Sequence, residues 1–165
     1  MIGELLVRPW RAGDLDTVRA LDGGTLSLPS LSARFLTGTR RLPDAYLRML
    51  AEAGPDRFNA AVAEVDGRLV GWLEQVRRSP GDTEADLGAL VVDAWQRCGV
   101  GGRLLRAAVA MARADGVKVL RAHVAADNAP PRRAIARLYG PAAEATLRGG
   151  IVEYLLRTDI DGVAG

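Results

Sequence analysis

The stretch that decides the fold reads Gln96-Arg97-Cys98-Gly99-Val100-Gly101-Gly102. It follows an apolar run typical of a buried strand, and it precedes a run in which apolar residues recur at the three- and four-residue spacing of a helix. Glycines let a backbone approach a ligand closely, and a helix start offers N–H groups without intrahelical acceptors at the positive end of the helix dipole. The stretch therefore predicts a site for a phosphorylated ligand.

Two other phosphate-binding loops do not fit this stretch. A nucleotide-kinase loop requires Gly-x-x-x-x-Gly-Lys-Ser/Thr, which the sequence does not contain. The dinucleotide-binding fingerprint requires a third glycine at position 104, where the chain has Leu104. The pattern that remains is Gln-x-x-Gly-x-Gly. Its alternative interpretation is an ordinary strand–turn–helix connection whose glycines only relieve backbone strain.

This pattern, with Trp95 beside it, resembles the pyrophosphate loop of the GNAT acetyltransferases. The resemblance implies acetyl-CoA as the cofactor, with loop amides around its pyrophosphate and arginines near its adenosine phosphates. It also implies that the backbone near Val91 and Val92 leaves amides free for the pantetheine arm, which an asparagine at the next helix start would contact. The residues expected to bind the cofactor are Val91, Val92, Gln96, Arg97, Cys98, Gly99, Val100, Gly101, Gly102, Arg103, Asn128 and Arg132.

The rest of the chain predicts the elements of the same fold. Strands are expected over 5–8, 58–65, 69–77, 84–92, 117–125, 145–147 and 151–158, with helices over 14–21, between 26 and 53, after the glycine loop, and from 128 to 140. Asp14 and Asn128 are the expected N-caps, Asp66-Gly67 a hairpin turn, and Gly23-Gly24 a further turn. The order predicts an α/β (α+β) GNAT fold in one domain, 1–165: a mixed, mostly antiparallel sheet with helices on both faces.

Residues 26–35 and the entry to the glycine loop carry a narrower resemblance. The first reads Leu-Ser-Leu-Pro-Ser-Leu-Ser-Ala-Arg-Phe and the second Asp-Ala-Trp-Gln, and both resemble bacterial protein-lysine acetyltransferases of the Pat type. That resemblance implies a protein substrate with an accessible lysine, an acyl-CoA synthetase being the suggested class. The alternative for the first segment is ordinary helix capping by Ser30 and Ser32.

The predicted reaction requires a general base. An ammonium group has a pKa of about 10.4, so neutralising it at pH 7 costs about 4–5 kcal/mol, whereas a thiol departs readily. Asp86 lies ten residues before Gln96, where the Pat-type enzymes resemble one another in carrying a catalytic glutamate, and Glu84 is the second candidate. Both carboxylates could instead be solvent-facing charges at a strand start.

The sequence also indicates the roles of three further side chains. Many GNAT enzymes carry a tyrosine where this chain has Ile135. Tyr139, one helical turn later, is expected to pack, with a role as general acid left open. Cys98 has no base placed to activate it and is expected to pack. His123 is expected to be a structural histidine in the middle of a strand, with a place on the active-site face left open.

Composition narrows the class of protein. The net charge of +2 over 165 residues does not favour nucleic acid, and no apolar stretch is long enough to span a membrane. One cysteine and one histidine provide no metal site, and the cysteine count favours the cytoplasm. A monomer or homodimer is expected. Two alternatives stay open: an acetyltransferase for small amines or amino acids, and a non-catalytic acyl-CoA-binding module.

Overall fold

The computed structural model describes residues 3–21, 25–36 and 38–163. Its strands are β1 Leu5–Pro9, β2 Phe58–Val65, β3 Arg68–Val76, β4 Glu84–Val91, β5 Val119–Ala125, β6 Glu144–Arg148 and β7 Ile151–Arg157. Its helices are α1 Asp14–Arg19, α2 Leu28–Phe35, α3 Asp44–Glu52, α4 Val100–Ala114 and α5 Ala129–Tyr139. The turn predicted at Gly23-Gly24 lies outside the described residues.

The strands form one sheet in the order β1-β2-β3-β4-β5-β7-β6. The neighbouring strands are antiparallel except for β4 and β5, which run parallel. A parallel pair needs a crossover connection, and α4 provides it between β4 and β5. The predicted mixed, mostly antiparallel sheet is confirmed.

Helices cover both faces of the sheet, as predicted. On one face, α4 and α5 pack over a core that includes Leu73, Leu104, Ala108, Leu120 and Ile135. The other face carries α1, α2 and α3, whose apolar residues pack around the fully buried Trp72. Each helix buries one apolar stripe, and each sheet face receives alternate side chains of the strands.

Local turn chemistry explains the β2–β3 hairpin. Asp66 and Gly67 both take positive φ, 50° and 73°, which the tight hairpin turn between twisted strands requires. The predicted turn is therefore confirmed. The short loop fixes the register in which Val65 faces Arg68.

The predicted caps of two helices are wrong in detail. Asp14 is the first residue of α1, and its carboxylate accepts hydrogen bonds from the side chain of Arg8 and the N–H of Arg11 instead of capping the helix. Asn128 holds the N-cap position of α5, but its side chain makes no capping hydrogen bond. A cap predicted from sequence assumes that the side chain has no better partner in the tertiary structure, which is untrue for Asp14.

The centre of the sheet contains an opening. The pairing of β4 with β5 begins at Glu84 and Val119 and ends at Leu87 and Ala122. Beyond that rung β4 continues to Val91 alongside β3, and β5 continues to Ala125 alongside β7. The carboxyl-terminal halves of the two parallel strands therefore separate, and such a place at the ends of parallel strands is where open α/β sheets bind ligands.

Candidate functional site

The opening between β4 and β5 presents peptide groups of β4 that have no strand beside them. The N–H of Val92 donates to the carbonyl oxygen of Val70 at 2.9 Å, so it points towards β3. The expectation that the Val92 amide is free is therefore wrong. Because peptide groups alternate in direction along a strand, the groups of Ala89 and Val91 point towards the opening instead.

The glycine loop leads from this opening to α4. Arg97 and Gly99 both take left-handed backbone conformations, with φ of 62° and 81°. That conformation is easy for glycine and strained for arginine, and such strain is common at ligand-binding turns. The exposed Cys98 lies between them, so the expectation that it packs is wrong. The two left-handed residues turn the chain into α4 at Val100.

The start of α4 fits an anionic group. No side chain caps it, and the first helix-type bond runs from the N–H of Arg103 to the carbonyl oxygen of Gly99. The amides of the first turn before Arg103 therefore have no intrahelical acceptors. A Cβ built at Gly99, Gly101 or Gly102 would meet nothing within 4 Å, so the approach to these amides is open. Arg97 and Arg103 are exposed beside it.

Hydrogen bonds of the Gln96 side chain hold the start of the glycine loop in place. Its side-chain amide nitrogen donates to the carbonyl oxygen of Val91 at 3.1 Å and to Oγ of Ser30 at 2.8 Å. The Ser30 hydroxyl in turn donates to Oδ1 of Asp93 at 2.8 Å, and the N–H of Ser27 approaches the same oxygen at 3.3 Å. Burial acts to raise the pKa of Asp93, but these hydrogen bonds outweigh it and hold the pKa below its usual value. We call Ser30, Asp93 and Gln96 the loop-support cluster.

The remaining expected cofactor residues lie around the start of α5. Asn128 is half-buried, and its side chain makes no capping hydrogen bond. The guanidinium of Arg132 is held locally, donating to the carbonyl oxygen of Ala126 and to the hydroxyl of Tyr154. Arg132 therefore connects α5 with β7, and the contact of Asn128 with a pantetheine arm stays a prediction.

The two candidate bases share one face of the sheet. Asp86 pairs in register with Arg121 on the last rungs before the opening. The guanidinium of Arg121 lies 2.7 Å from a Glu84 oxygen and 3.9 Å from an Asp86 oxygen. Glu84 is therefore engaged in a close ion pair, whereas Asp86 makes only a long one. A groove of about 360 Å³ runs beside both carboxylates and is also lined by Arg78 and Asp82.

His123 stands on the same face of β5, two residues after Arg121. Its Nε2 lies 3.0 Å from an oxygen of Glu153, its cross-strand partner on β7. Both side chains are exposed, and Glu153 gives the imidazole the satisfied hydrogen bond expected of a structural histidine. It lies one residue beyond Ala122, where the pairing of β4 with β5 ends.

Tyr139 packs, as expected. It is buried, and its hydroxyl donates to the carbonyl oxygen of Arg157 at 3.1 Å. Burial raises the pKa of Tyr139 to about 12. Ile135, where many relatives of this fold carry a tyrosine, is also buried.

A group of buried polar side chains covers the opening on the face of the sheet that carries α2. The guanidinium of Arg34 pairs with the carboxylate of Glu74 directly over Gly88, and the hydroxyl of Tyr46 donates to Glu74 at 3.0 Å. Trp72 donates to the Tyr46 oxygen at 2.6 Å. The sequence gives no sign of this group, because its members come from α2, α3 and β3.

Within the described residues, the structure has neither a cluster of metal ligands nor a helix that could span a membrane. Within the described ranges, no three His, Cys, Asp or Glu side chains are placed to share a metal ion. No helix in the part of the chain that the structure describes is long and apolar enough to cross a bilayer.

Solved structures share this architecture. The GNAT domain of S. lividans PAT superposes with a TM-score of 0.78 at 22% identity, covering 92% of this chain and 89% of that one. A protein called yncA from Salmonella typhimurium, solved with its cofactor acetyl-CoA, gives a TM-score of 0.72 at 17% identity, covering 98% of both chains. Ribosomal-protein-alanine N-acetyltransferase from Brucella melitensis gives 0.66 at 22% identity, covering 91% of this chain and 96% of that one.

These identities are low, so the superpositions establish the fold alone. No curated protein sequence matches the chain significantly. The family model for acetyltransferases of the GNAT family matches residues 27–140, which include α2, the opening, the glycine loop and α5. The chain therefore belongs to the acetyltransferase (GNAT) family, a family of enzymes whose acetyl donor is acetyl-CoA.

Proposed function

We propose that this chain transfers the acetyl group of acetyl-CoA to a primary amine, a protein lysine being the preferred acceptor, by direct attack assisted by a carboxylate base. One observation carries the proposal: the opening has the uncapped start of α4 at one end and Asp86 on its rim. A diphosphate bound at the start of α4 and a thioester bound near Asp86 would bring an acetyl group beside a carboxylate.

The chain's residues would divide the binding of acetyl-CoA between them. The amides of the first turn of α4 would hold the pyrophosphate, because they point outward without intrahelical acceptors. Arg97 and Arg103 are exposed at the same end and would meet the adenosine phosphates. The Val91 peptide group and the side chain of Asn128 flank the opening and would orient the pantetheine arm. When bound, acetyl-CoA supplies a thioester carbonyl that an amine can attack.

Asp86 is the better of the two candidate bases. The guanidinium of Arg121 lies 2.7 Å from an oxygen of Glu84, which engages that carboxylate in an ion pair, whereas it lies 3.9 Å from the nearest oxygen of Asp86, which leaves room for a water molecule to hydrogen-bond to Asp86. Asp86 also lies two residues nearer to the opening. Since an aspartate is short, a water molecule would carry the proton from the amine to it.

Two features support a lysine acceptor. The groove beside Asp86 is lined by three carboxylates and two guanidiniums, an excess of negative charge that favours a cationic side chain. Residues 26–35 resemble the corresponding segment of Pat-type protein-lysine acetyltransferases.

Intact-mass spectrometry tests the proposal. The protein is incubated with acetyl-CoA and either a lysine-bearing protein, such as an acyl-CoA synthetase, or a panel of small amines, and both thiol release and the mass increase of the acceptor are followed. An added acetyl group on the protein supports the lysine acceptor. Transfer to small amines alone would replace that acceptor by the small-amine alternative. Binding of acetyl-CoA without transfer to any acceptor would contradict the proposal and favour a binding module.

The variant Asp86→Asn tests the base. Loss of a general base typically costs 10²–10⁴-fold, so we expect kcat at pH 7 to fall by about 10²-fold or more, with partial recovery at high pH where the amine is already neutral. Asp44→Asn, an exposed carboxylate on α3, is the matched control and should retain full activity. Unchanged activity of Asp86→Asn at every pH would remove Asp86 from the mechanism.

A further inference from the structure

We propose that His123, held by Glu153, is the second proton acceptor of this site: it takes over the amine proton that Asp86 first removes. This inference rests on the proposed acetyl transfer. It adds a catalytic pair on β5 and β7 that neither the family nor the glycine loop indicates.

The pair has the geometry of an oriented imidazole. Nε2 of His123 and Oε2 of Glu153 are 3.0 Å apart, on side chains that face each other across neighbouring strands. A neutral imidazole whose Nε2–H donates to a carboxylate leaves Nδ1 as its proton acceptor. The same carboxylate then stabilises the imidazolium once the proton has arrived. Exposed fractions of 45% and 41% leave both side chains accessible to solvent.

The pair lies on the rim opposite Asp86. Side chains two residues apart share a strand face, so His123 points to the same side of the sheet as Arg121, about 7 Å further along β5. The guanidinium of Arg121 in turn lies 3.9 Å from an oxygen of Asp86 and 3.8 Å from an oxygen of Glu153, so it lies between the carboxylates on the two sides of the opening. Because the strands separate after Ala122, His123 borders the opening rather than the closed part of the sheet.

Proton-transfer energetics favour two acceptors over one. A carboxyl group ordinarily has a pKa of about 4 and an imidazole about 6.5. Proton transfer from an ammonium group, whose pKa is about 10.4, therefore costs less free energy when an imidazole is the acceptor. In the relay, an N–H bond of the ammonium group breaks, and Asp86 receives the proton through a water molecule and passes it to Nδ1 of His123. The lone pair of the neutral amine then attacks the thioester carbon, the C–S bond breaks, and its electron pair leaves with the thiolate. The nitrogen loses its second proton, which the thiolate takes up to become a thiol, and the imidazolium releases the first proton to solvent.

Other charges face His123 from the surrounding elements. Arg121 precedes it on β5, Glu153 faces it from β7, and Glu84 and Asp86 stand across on β4. Arg34 lies on α2, which packs against β4 and β5, and its charge is neutralised by Glu74. The carboxylates thus outnumber the guanidiniums around the imidazole.

The variant His123→Asn tests the inference through its pH profile. In the wild type, kcat/KM for the acceptor should level off near neutral pH, because the imidazole can accept a proton from the bound ammonium. In the variant, we expect a fall of about 10²-fold at pH 7 and a continued rise with pH towards the pKa of the amine. Glu153→Gln should show the same trend with a smaller loss. The affinity for acetyl-CoA, measured by calorimetry, should not change.

A control and a rescue separate this role from a structural one. Glu144→Gln, in the same hairpin on the fully exposed β6, should leave both rate and pH profile unchanged. His123→Ala should recover activity when free imidazole is added, which a merely structural histidine would not permit. A His123→Asn variant that is folded, binds acetyl-CoA and keeps the wild-type pH profile would overturn the relay. Failure of the wild type to transfer acetyl groups at all would instead overturn the proposed function.

Discussion

Arg97 shows how a single residue can carry the geometry of a ligand loop. Its φ of 62° lies in a region that costs a side-chain-bearing residue of order 1–3 kcal/mol when the surrounding structure enforces it. The next left-handed residue, Gly99, enters the same region without strain. A loop built of glycines alone would be floppy, whereas this one has the Gln96 side chain anchoring its start. Together, Arg97 and Gly99 turn the chain into α4 at Val100.

The variant Gly101→Glu tests the loop at the scale of one residue. Position 101 lies in the first turn of α4 with open space around its Cα, so a glutamate can be accommodated by the fold. Its carboxylate would occupy the place of a phosphate and repel the others. We expect acetyl-CoA binding to become undetectable by calorimetry, while the melting temperature stays close to that of the wild type.

Gly38→Glu is the matched control for this variant. Gly38 also has nothing within 4 Å of a built Cβ and has no positive φ, but it lies far along the chain from the loop. It should bind acetyl-CoA as the wild type does. Retained binding by Gly101→Glu would contradict the assignment of this loop to the diphosphate.

The helix α2 is the element that connects the two halves of the site. Near its start, Ser30 hydrogen-bonds to Asp93 and Gln96 beneath the glycine loop, and near its end Arg34 pairs with Glu74 over Gly88. A side chain at position 88 would overlap both members of that ion pair. The position of α2 is therefore fixed at one end by the loop that would hold the coenzyme and at the other by the strand that would hold the thioester.

The variant Ser30→Ala tests this connection. It removes a hydroxyl that bonds to both Asp93 and Gln96 at 2.8 Å. Hydrogen bonds to charged groups contribute about 1.5–3 kcal/mol, so we expect the free energy of unfolding to fall by about 1–2 kcal/mol. Because the loop loses its support, the dissociation constant for acetyl-CoA should rise by up to about tenfold, which corresponds to about 1.4 kcal/mol.

Ser32→Ala, on the same helix but outside the loop-support cluster, is the control. It should leave acetyl-CoA affinity unchanged in calorimetry. If Ser30→Ala lowers the free energy of unfolding measured in urea and leaves that affinity intact, the cluster only fixes the helix and does not support the loop.

Elements were predictable from the sequence where their signal is local. The hairpin at Asp66-Gly67 needs only two residues that tolerate positive φ, and α4 shows its buried stripe through Leu104, Leu105 and Ala108. Caps were less predictable. Asp14 was assigned to the start of a helix by its residue type, but its carboxylate has a stronger partner in Arg8, which precedes it by six residues.

In the whole molecule, the pairing of the strands brings together side chains whose proximity the sequence does not reveal. The resemblance to the Pat-type enzymes implies Asp86 as the base, yet nothing in the sequence shows that Arg121 lies beside Asp86 or that Glu153 lies beside Arg121. Their neighbourhood depends on β5 lying between β4 and β7, which pairs Asp86 with Arg121, 35 residues later, and His123 with Glu153, 30 residues later. His123 could be placed on a strand, but its partner could not be named without that pairing.

A second long-range arrangement joins β1, α1 and β2 at the edge of the sheet. Arg8 on β1 donates to both oxygens of Asp14 on α1, at 2.8 and 2.7 Å, and also pairs with Glu64 on β2. The Arg8 and Asp14 side chains are only 10% and 8% exposed. Burial acts to raise the pKa of Asp14, but the hydrogen bonds from Arg8 and from the N–H of Arg11 outweigh it and lower the pKa. The ionised form of Asp14 is therefore favoured in the folded state.

This lowered pKa predicts how stability depends on pH. A carboxyl group whose pKa is lower in the folded state than in the unfolded chain stabilises the fold at any pH above the unfolded value, which is about 3.9, and this contribution is lost as the pH falls through the folded value. We expect Asp14→Asn to lower the free energy of unfolding at pH 7 by about 1–3 kcal/mol. Urea titrations at pH 7, 5 and 3 should show the difference between wild type and variant undiminished at pH 5 and smaller at pH 3.

The control for acid sensitivity is Asp159→Asn. Asp159 also has a lowered pKa, caused by its hydrogen bond from Arg157, but both side chains are more than half exposed, so solvent screens the pair. It should change neither the urea midpoint at pH 7 nor its pH dependence measurably. A difference between the wild type and Asp14→Asn that stays constant down to pH 3 would mean that Asp14 stabilises this edge through packing, because an ion pair with a lowered pKa must lose its contribution as the carboxylate is protonated.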